Sequence, residues 1–377
     1  MKKIQMVDLV SQYEKIKPQV QSAINTILDK AQFINGPDVE SFKTELGDYL
    51  GAAHVVPCAN GTDALQIAMM ALGLKPGDEV ITPSYTYIAT TEVIGLLGLK
   101  PVFVDCEKDT FNISPKAIEA AITSKTKAIV PVHLYGQSCD MEAIMAIAEK
   151  YDLKVIEDNA QAIGSDYTFS DGTKKKTGTI GHVGCTSFFP SKNLGCYGDG
   201  GALCTQDEQL AEKLAMVANH GQSKRYYHDM VGCNSRLDSI QAAVLRIKLN
   251  LLDEYIDARR EAADYYDSRF KNIDALTIPY RAQNTKHVFH QYTLQLTDDV
   301  NRDELVAFLG KKDIPAMIYY PVPAHAQKMF ATIETSSGKL ENTDWLTSRV
   351  FSLPMHTELE KDQLQYICDA VIEFIEQ

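Results

Sequence analysis

One lysine stands out by its surroundings. Lys192 sits in Ser187-Phe188-Phe189-Pro190-Ser191-Lys192-Asn193-Leu194-Gly195-Cys196-Tyr197-Gly198-Asp199-Gly200-Gly201, an apolar, aromatic, glycine-rich loop after a strand-like run. Lysines ordinarily stay protonated in solvent. Desolvation lowers the pKa and frees the amine, which then condenses with carbonyls. A snorkelling surface lysine would fit an amphipathic helix better than this loop. A second candidate is Asp158, which closes the apolar run of Val155-Ile156-Glu157-Asp158-Asn159-Ala160-Gln161. That position is the tip of a buried strand, where open α/β sheets bind their ligands. A carboxylate buried there needs a cationic partner; a salt-bridged or helix-capping aspartate is the plainer alternative. A third candidate is Cys58-Ala59-Asn60-Gly61-Thr62-Asp63-Ala64-Leu65, where a strand gives way to a helix through small residues. A helix start exposes unpaired amides and suits an anion. Taken alone, the segment reads more readily as an ordinary N-cap by Asn60 or Thr62, and it lacks the spacing of a Walker loop.

The three segments gain meaning jointly. An amide-rich anion site, an acid at a strand tip and a loop lysine are what pyridoxal phosphate demands for its phosphate, its ring nitrogen and its aldehyde. The glycines of the lysine loop let the backbone close around such a ligand.

The elements that position these residues follow from the hydrophobic pattern. Between about 55 and 205, short apolar runs at 55–58, 79–82, 101–104, 128–132 and 154–157 alternate with helical stretches near 62, 86–97, 115–122 and 141–150. That alternation predicts a mostly parallel sheet covered on both faces. Two further runs, 186–189 and 201–205, leave little room for a helix between them. Residues 1–50 read as amphipathic helices broken at Asn35-Gly36-Pro37, and a long helical stretch covers about 236–270. Beyond it, Gln291-Tyr292-Thr293-Leu294-Gln295-Leu296 alternates as a half-buried strand should. Helices near 302–309 and 362–375 complete a smaller α+β unit. The expectation is two domains, 1–250 and 251–377. The polar stretch Ser170-Asp171-Gly172-Thr173-Lys174-Lys175-Lys176 reads as a solvated loop.

Composition narrows the function classes. Of 377 residues, 45% are apolar and 23% charged, which is ordinary globular usage with enough apolar content for a large core. With 37 Lys and Arg against 50 Asp and Glu, the net charge of −13 argues against nonspecific nucleic-acid binding. The eight cysteines form no CxxC pair and mostly sit in apolar runs, so buried free thiols in a reducing cytoplasm are expected, with no metal site. The N-terminus lacks the apolar core of a signal peptide, and no stretch is long and apolar enough to span a bilayer. A cytoplasmic enzyme is the expectation.

The chain resembles the DegT-like nucleotide-sugar aminotransferases of the fold-type-I pyridoxal phosphate superfamily, over nearly its whole length. The resemblance rests on Ala59–Leu65, Pro83-Ser84-Tyr85-Thr86-Tyr87, Pro131-Val132-His133-Leu134-Tyr135-Gly136-Gln137, Glu157–Gln161, Pro190–Gly195 and Asn234-Ser235-Arg236-Leu237-Asp238. It implies an aspartate aminotransferase-like α/β fold, with a large domain built on a mostly parallel sheet and a smaller C-terminal domain. By position, Lys192 matches the lysine that condenses with the cofactor aldehyde and shuttles the proton. Asp158 matches the partner of the pyridinium nitrogen. Tyr87 matches the aromatic over the cofactor ring, and Gln161 the residue near its phenolic oxygen. Gly61, Thr62 and Ser187 match phosphate contacts. Asn234 matches a phosphate ligand from the neighbouring subunit, which implies a homodimer with shared sites. Asn159 departs from the small apolar residue usual at its place. His220 and His325 are read as ordinary partnered histidines.

Within the family, the lysine loop is most like that of members aminating a UDP-linked 2-acetamido-3-keto-hexuronate with L-glutamate, for lipopolysaccharide or capsule. Ala31, Phe33, Ser191, Arg236, Tyr319 and Tyr320 fall where those members contact the nucleotide sugar, though they carry His at the place of Tyr319 and Tyr at that of Phe33. A guanidinium such as that of Arg236 grips a uronate carboxylate by two parallel bonds. The alternatives are an aminotransferase for a UDP- or dTDP-linked 3- or 4-keto-deoxy sugar, a sugar dehydratase on the same scaffold, and a non-enzymatic ligand-binding regulator. Dehydratase relatives carry histidine in place of the lysine, so Lys192 argues against that reading.

Overall fold

The computed structural model describes residues 2–377. Two helices open the chain, α1 (Leu9–Lys30) and α2 (Pro37–Leu50). The break between them is made by Gly36 and by Pro37, which starts α2 with a preset φ and no amide to satisfy. The central α/β unit follows: β1 (His54–Cys58), α3 (Gly61–Ala71), β2 (Glu79–Pro83), α4 (Ala89–Leu96), β3 (Lys100–Val104), α5 (Pro115–Ala121), β4 (Thr126–Ile129), α6 (Met141–Lys150), β5 (Lys154–Asp158), β6 (Asp166–Thr168), β7 (Lys174–Lys176), β8 (Val183–Ser187), β9 (Gly201–Thr205) and α7 (Glu208–Ala218). After a small hairpin, β10 (Gln222–Lys224) and β11 (Tyr227–His228), come α8 (Ser239–Leu249) and α9 (Leu252–Phe270). The last part holds β12 (Leu276–Thr277), β13 (Tyr292–Leu296), α10 (Arg302–Lys311), β14 (Ser336–Ser337), α11 (Glu341–Arg349), β15 (Val350–Leu353) and α12 (Lys361–Ile375).

The main sheet runs β1-β9-β8-β5-β4-β2-β3-β14. The pairs from β8 through β14 are parallel, whereas β9 is antiparallel to both β8 and β1. The two runs with no room for a helix between them are these antiparallel neighbours, β8 and β9. One face of the sheet buries Leu65, Ala68, Val93 and Leu214 from α3, α4 and α7; the other buries Ile118, Met141 and Ile144 from α5 and α6. Apolar residues on both faces are why these strands read as continuous runs.

The C-terminal unit packs α9, α10 and α12 against the sheet β12-β13-β15 around Tyr266, Phe270, Leu294, Leu305, Phe351 and Ile367. Ile4 joins this core, so the chain's first residues pack with its last. Conversely β14 pairs with β3 of the main sheet. The expected division at 250 falls at the Asn250-Leu251 break between α8 and α9, which splits the long helix read from the sequence.

Two further expectations are corrected. β13 is buried on both faces rather than one: Thr293 shares a hydrogen bond with Ser352, and Gln295 donates to the Lys108 carbonyl at 3.0 Å. Its polar face meets protein, not water. The stretch 170–176 is partly strand, because β7 closes a hairpin on β6 in the register Asp166↔Lys176. Seven of the eight cysteines are buried and all are free. Among the described residues, no helix is long and apolar enough to cross a membrane.

Candidate active site

The strand tips of the main sheet open on a cavity of about 830 Å³. Asp158 lies at the end of β5 and is 5% exposed. Its Oδ2 accepts from Thr90 Oγ1 at 2.7 Å and its Oδ1 from the Ala160 amide at 3.1 Å. No cation of this chain pairs with it among the described ion pairs, so the buried carboxylate has room for a positive charge brought by a ligand.

The neighbouring residue shows how firmly this tip is set. Glu157 is fully buried and points to the other side of the strand. Its oxygens accept from the amides of Gly178, Ile180 and Gly181 at 2.6–2.8 Å and from His133 Nε2 at 2.9 Å. His133 Nδ1 accepts from the Cys139 amide, so Nε2 carries the proton. Burial pushes the Glu157 carboxyl up, but His133 and the amides outweigh it and hold it below the usual range.

Lys192 comes from the loop between β8 and β9 and reaches the same cavity. Burial pulls its amine down to about 8, against the opposing pull of Asp158. The loop is tied from beneath. Lys248 of α8 is itself buried, donates to the Gly195 carbonyl at 2.8 Å and lies over the Tyr197 ring. A Cβ at Gly195 would stand 2.3 Å from the Pro190 carbonyl oxygen. The tight loop therefore excludes any larger residue there.

Opposite, Asn60 caps α3, its Oδ1 accepting from the Asp63 amide at 2.8 Å and its carbonyl from the Ala64 amide. Of the helix's first four amides this leaves those of Gly61 and Thr62 for a ligand. A Cβ on Gly61 would stand 2.6 Å from that of Ser187, so glycine alone keeps this cradle open. Tyr87 is 55% exposed, its ring centroid 6.0 Å from that of Tyr320. Gln161 accepts from the Tyr135 amide at 2.7 Å and donates to the Tyr320 hydroxyl at 3.0 Å.

Of the residues singled out in the sequence, Gly61, Thr62, Tyr87, Asp158, Gln161, Ser187, Ser191, Lys192, Tyr319 and Tyr320 all line this one cavity. Ala31 and Phe33 do not; they line a separate surface hollow at the α1–α2 break. Arg236 lines a further one beside Asn35 and Lys43, and Asn234 bridges Asn219 outside the cavity. Those four form one neighbourhood, since the Ser239 amide donates to the Phe33 carbonyl and Ile34 bridges Asp238. His325 is partnered by Ser84 at 2.7 Å. Sequence reasoning missed Thr90, His290 and Gln291. Thr90 is the second residue of α4, its hydroxyl 3.2 Å from that of Thr86 in the turn before the helix; nothing in the segment around His290 marks it.

The arrangement fits pyridoxal phosphate: amides and hydroxyls for the phosphate, an unpaired buried acid for the ring nitrogen, and a low-pKa lysine for the aldehyde. Fold and site together define a pyridoxal-phosphate-dependent aminotransferase. The chain belongs to the DegT/DnrJ/EryC1/StrS aminotransferase family, whose pattern matches residues 14–372. It is 45% identical to the UDP-2-acetamido-2-deoxy-3-oxo-D-glucuronate aminotransferase of Pseudomonas aeruginosa, over 98% of this chain and 99% of that one. It is 44% identical to the UDP-N-acetyl-3-dehydro-alpha-D-glucosamine 3-aminotransferase of Acidithiobacillus ferrooxidans, over 98% and 97%. Among solved structures, a DegT DnrJ EryC1 StrS aminotransferase from Brucella abortus superposes with a TM-score of 0.94 at 39% identity, covering 99% of this chain and all of that one.

Proposed function

We propose that this enzyme moves an amino group from L-glutamate to the keto carbon of a nucleotide-linked sugar, a UDP-linked 2-acetamido-3-keto-hexuronate, for lipopolysaccharide or other cell-surface polysaccharide. The observation that carries the reading is the convergence of Lys192 and Asp158 on one cavity beside the open amides of α3. The two relatives named above both act, by their names, on UDP-linked 3-keto sugars, which supports UDP over dTDP and a 3-keto over a 4-keto acceptor.

When bound, the cofactor takes up the electron pair released at the carbon that carries the nitrogen. The chain does the rest. Lys192 would hold the aldehyde and, as a free amine, would carry the proton. Asp158 would keep the ring nitrogen protonated, its carboxylate fixed by Thr90. Gly61, Thr62 and Ser187 would hold the phosphate. Tyr87 and Gln161, the latter oriented by the Tyr135 amide, would hold the ring. Ser191, Tyr319 and Tyr320 contact the sugar. Asn234, Arg236, Ala31 and Phe33 stand outside their own chain's cavity and serve the site of a second copy, which makes the working unit a homodimer of the cytoplasm.

Incubation with glutamate and UDP- or dTDP-linked keto sugars tests this. The expected products are a 3-amino sugar and 2-oxoglutarate in equal amounts. A deoxy sugar formed without 2-oxoglutarate would make the enzyme a dehydratase. Arg236→Ala should cost more on the uronate than on the neutral sugar; equal losses remove its role as carboxylate clamp.

A further inference from the structure

The cavity must accept a second anion besides the cofactor phosphate, because an amino-acid donor brings at least one carboxylate to the reacting carbon. Three acids already line the walls, Asp63, Asp158 and Asp199. Among the described residues, no arginine lines the cavity, and its only nitrogen bases are Lys192 and His290. Lys192 is committed to the cofactor aldehyde and, once displaced, to the proton.

His290 is the first residue of the small unit to face the cavity, two places before β13. It is 6% exposed, and its Nδ1 is buried without a hydrogen-bond partner. A buried polar atom left unpaired is costly unless a ligand satisfies it. The backbone that carries the ring is pinned. Buried Arg259 of α9 donates to the carbonyls of Phe289, His290 and Met355 at 3.2, 3.4 and 2.9 Å, and among the described residues no carboxylate pairs with it. This places a fixed cation directly behind the histidine. Burial, Lys192 and Arg259 together hold the imidazole well below its ordinary pKa, so it enters the reaction neutral, with one N–H to give.

We infer that His290 binds the carboxylate of the amino-acid donor, its imidazole N–H and the field of Arg259 together forming the donor's anion site. This rests on the aminotransferase reading above. It predicts a division of labour that a general structural role would not produce, since the donor and the keto sugar visit the same cavity in separate half-reactions.

The test uses the holoenzyme and measures each half-reaction in single turnover, with glutarate, which carries carboxylates and no amine, as a calorimetric probe of binding alone. In His290→Phe, glutamate should half-saturate its half-reaction at a concentration roughly tenfold to a hundredfold higher, with the maximal rate little changed. Glutarate should weaken in parallel. The keto-sugar half-reaction should move by less than about threefold. His290→Asn, which keeps an N–H, should recover part of the affinity. Unchanged glutarate affinity and donor saturation would overturn the assignment. So would equal slowing of both half-reactions at saturation, which would make His290 a proton partner of Lys192. A wild-type enzyme inert towards glutamate would defeat the donor reading itself, and glutarate binding would still decide whether His290 holds a carboxylate.

Discussion

Asp158 at the tip of β5 and Lys192 in the loop between β8 and β9 face one cavity, and the acid bears on the chemistry of the amine. Burial lowers the lysine pKa to about 8, and the Asp158 charge limits the fall. The amine is therefore half free near pH 8 and increasingly protonated below it. Asp158→Asn removes the charge that favours the ammonium, so the Lys192 pKa falls further. Condensation of the apoenzyme with pyridoxal phosphate, followed by absorbance against pH, should rise with a midpoint near 8 in the wild type and at lower pH in the variant. Turnover should nonetheless drop by roughly a hundredfold to a thousandfold, because the ring nitrogen loses its anion. A midpoint moving upward would contradict this pairing.

Thr90→Val keeps the shape of the side chain and deletes its hydroxyl. The Asp158 Oδ2 then loses its 2.7 Å donor inside a buried site. A bond to a charged acceptor contributes about 1.5–3 kcal/mol, so urea unfolding of the apoenzyme should show a loss of that order. With the cofactor bound, part of the loss should return as the ring nitrogen takes up the free lone pair. Equal losses in both forms would mean that Asp158 does not meet the ligand.

Much of this was legible in the chain because the physics is local. Strand runs, the Asn60 cap and the Pro37 helix start are set by residues within a few positions of one another. So was the candidate cavity, since every strand of a parallel sheet delivers its C-terminal tip to the same edge. What the sequence could not show depends on distant pairing. The polar face of β13 is dry because Gln295 finds the Lys108 carbonyl. The Lys192 loop is tied by a lysine more than fifty positions away, Lys248, whose own amine burial lowers to about 8. His290 carries no motif and gains interest only from what fails to pair with it.

Glu157 gives the fold an acid limit. Its carboxyl lies below the ordinary value of 4.5 because His133 and three amides prefer it ionised. A depressed folded pKa contributes stability that is present above the unfolded value and lost as pH falls through the folded one. The contribution should thus be complete above about pH 5 and fade below 4.5. Glu157→Gln replaces an acceptor oxygen by an amide that faces donors, leaving one or two buried amides unpaired at a cost of about 1–3 kcal/mol each. Thermal unfolding should find the variant well below the wild type at pH 7. The gap should narrow as pH drops below 4. A gap constant with pH would show that the charge contributes nothing.

Arg236 and Lys192 lie in different hollows of one chain, and the Arg236 Nε is buried without a partner. If Arg236 completes the site of a second copy, two inactive variants can repair each other. Lys192→Ala homodimers lack the amine at both sites, and Arg236→Ala homodimers lack the guanidinium at both. In a mixed dimer, the site on the Arg236→Ala chain has its own Lys192 and receives Arg236 from the other chain, whereas the second site is doubly defective. Random mixing gives half the dimers as mixed, each with one of two sites intact. Activity on the uronate should then recover to about a quarter of wild type, the yield a closed two-fold dimer allows. Were Arg236 to act within its own chain, each site of a mixed dimer would still lack one residue, and coexpression would restore nothing.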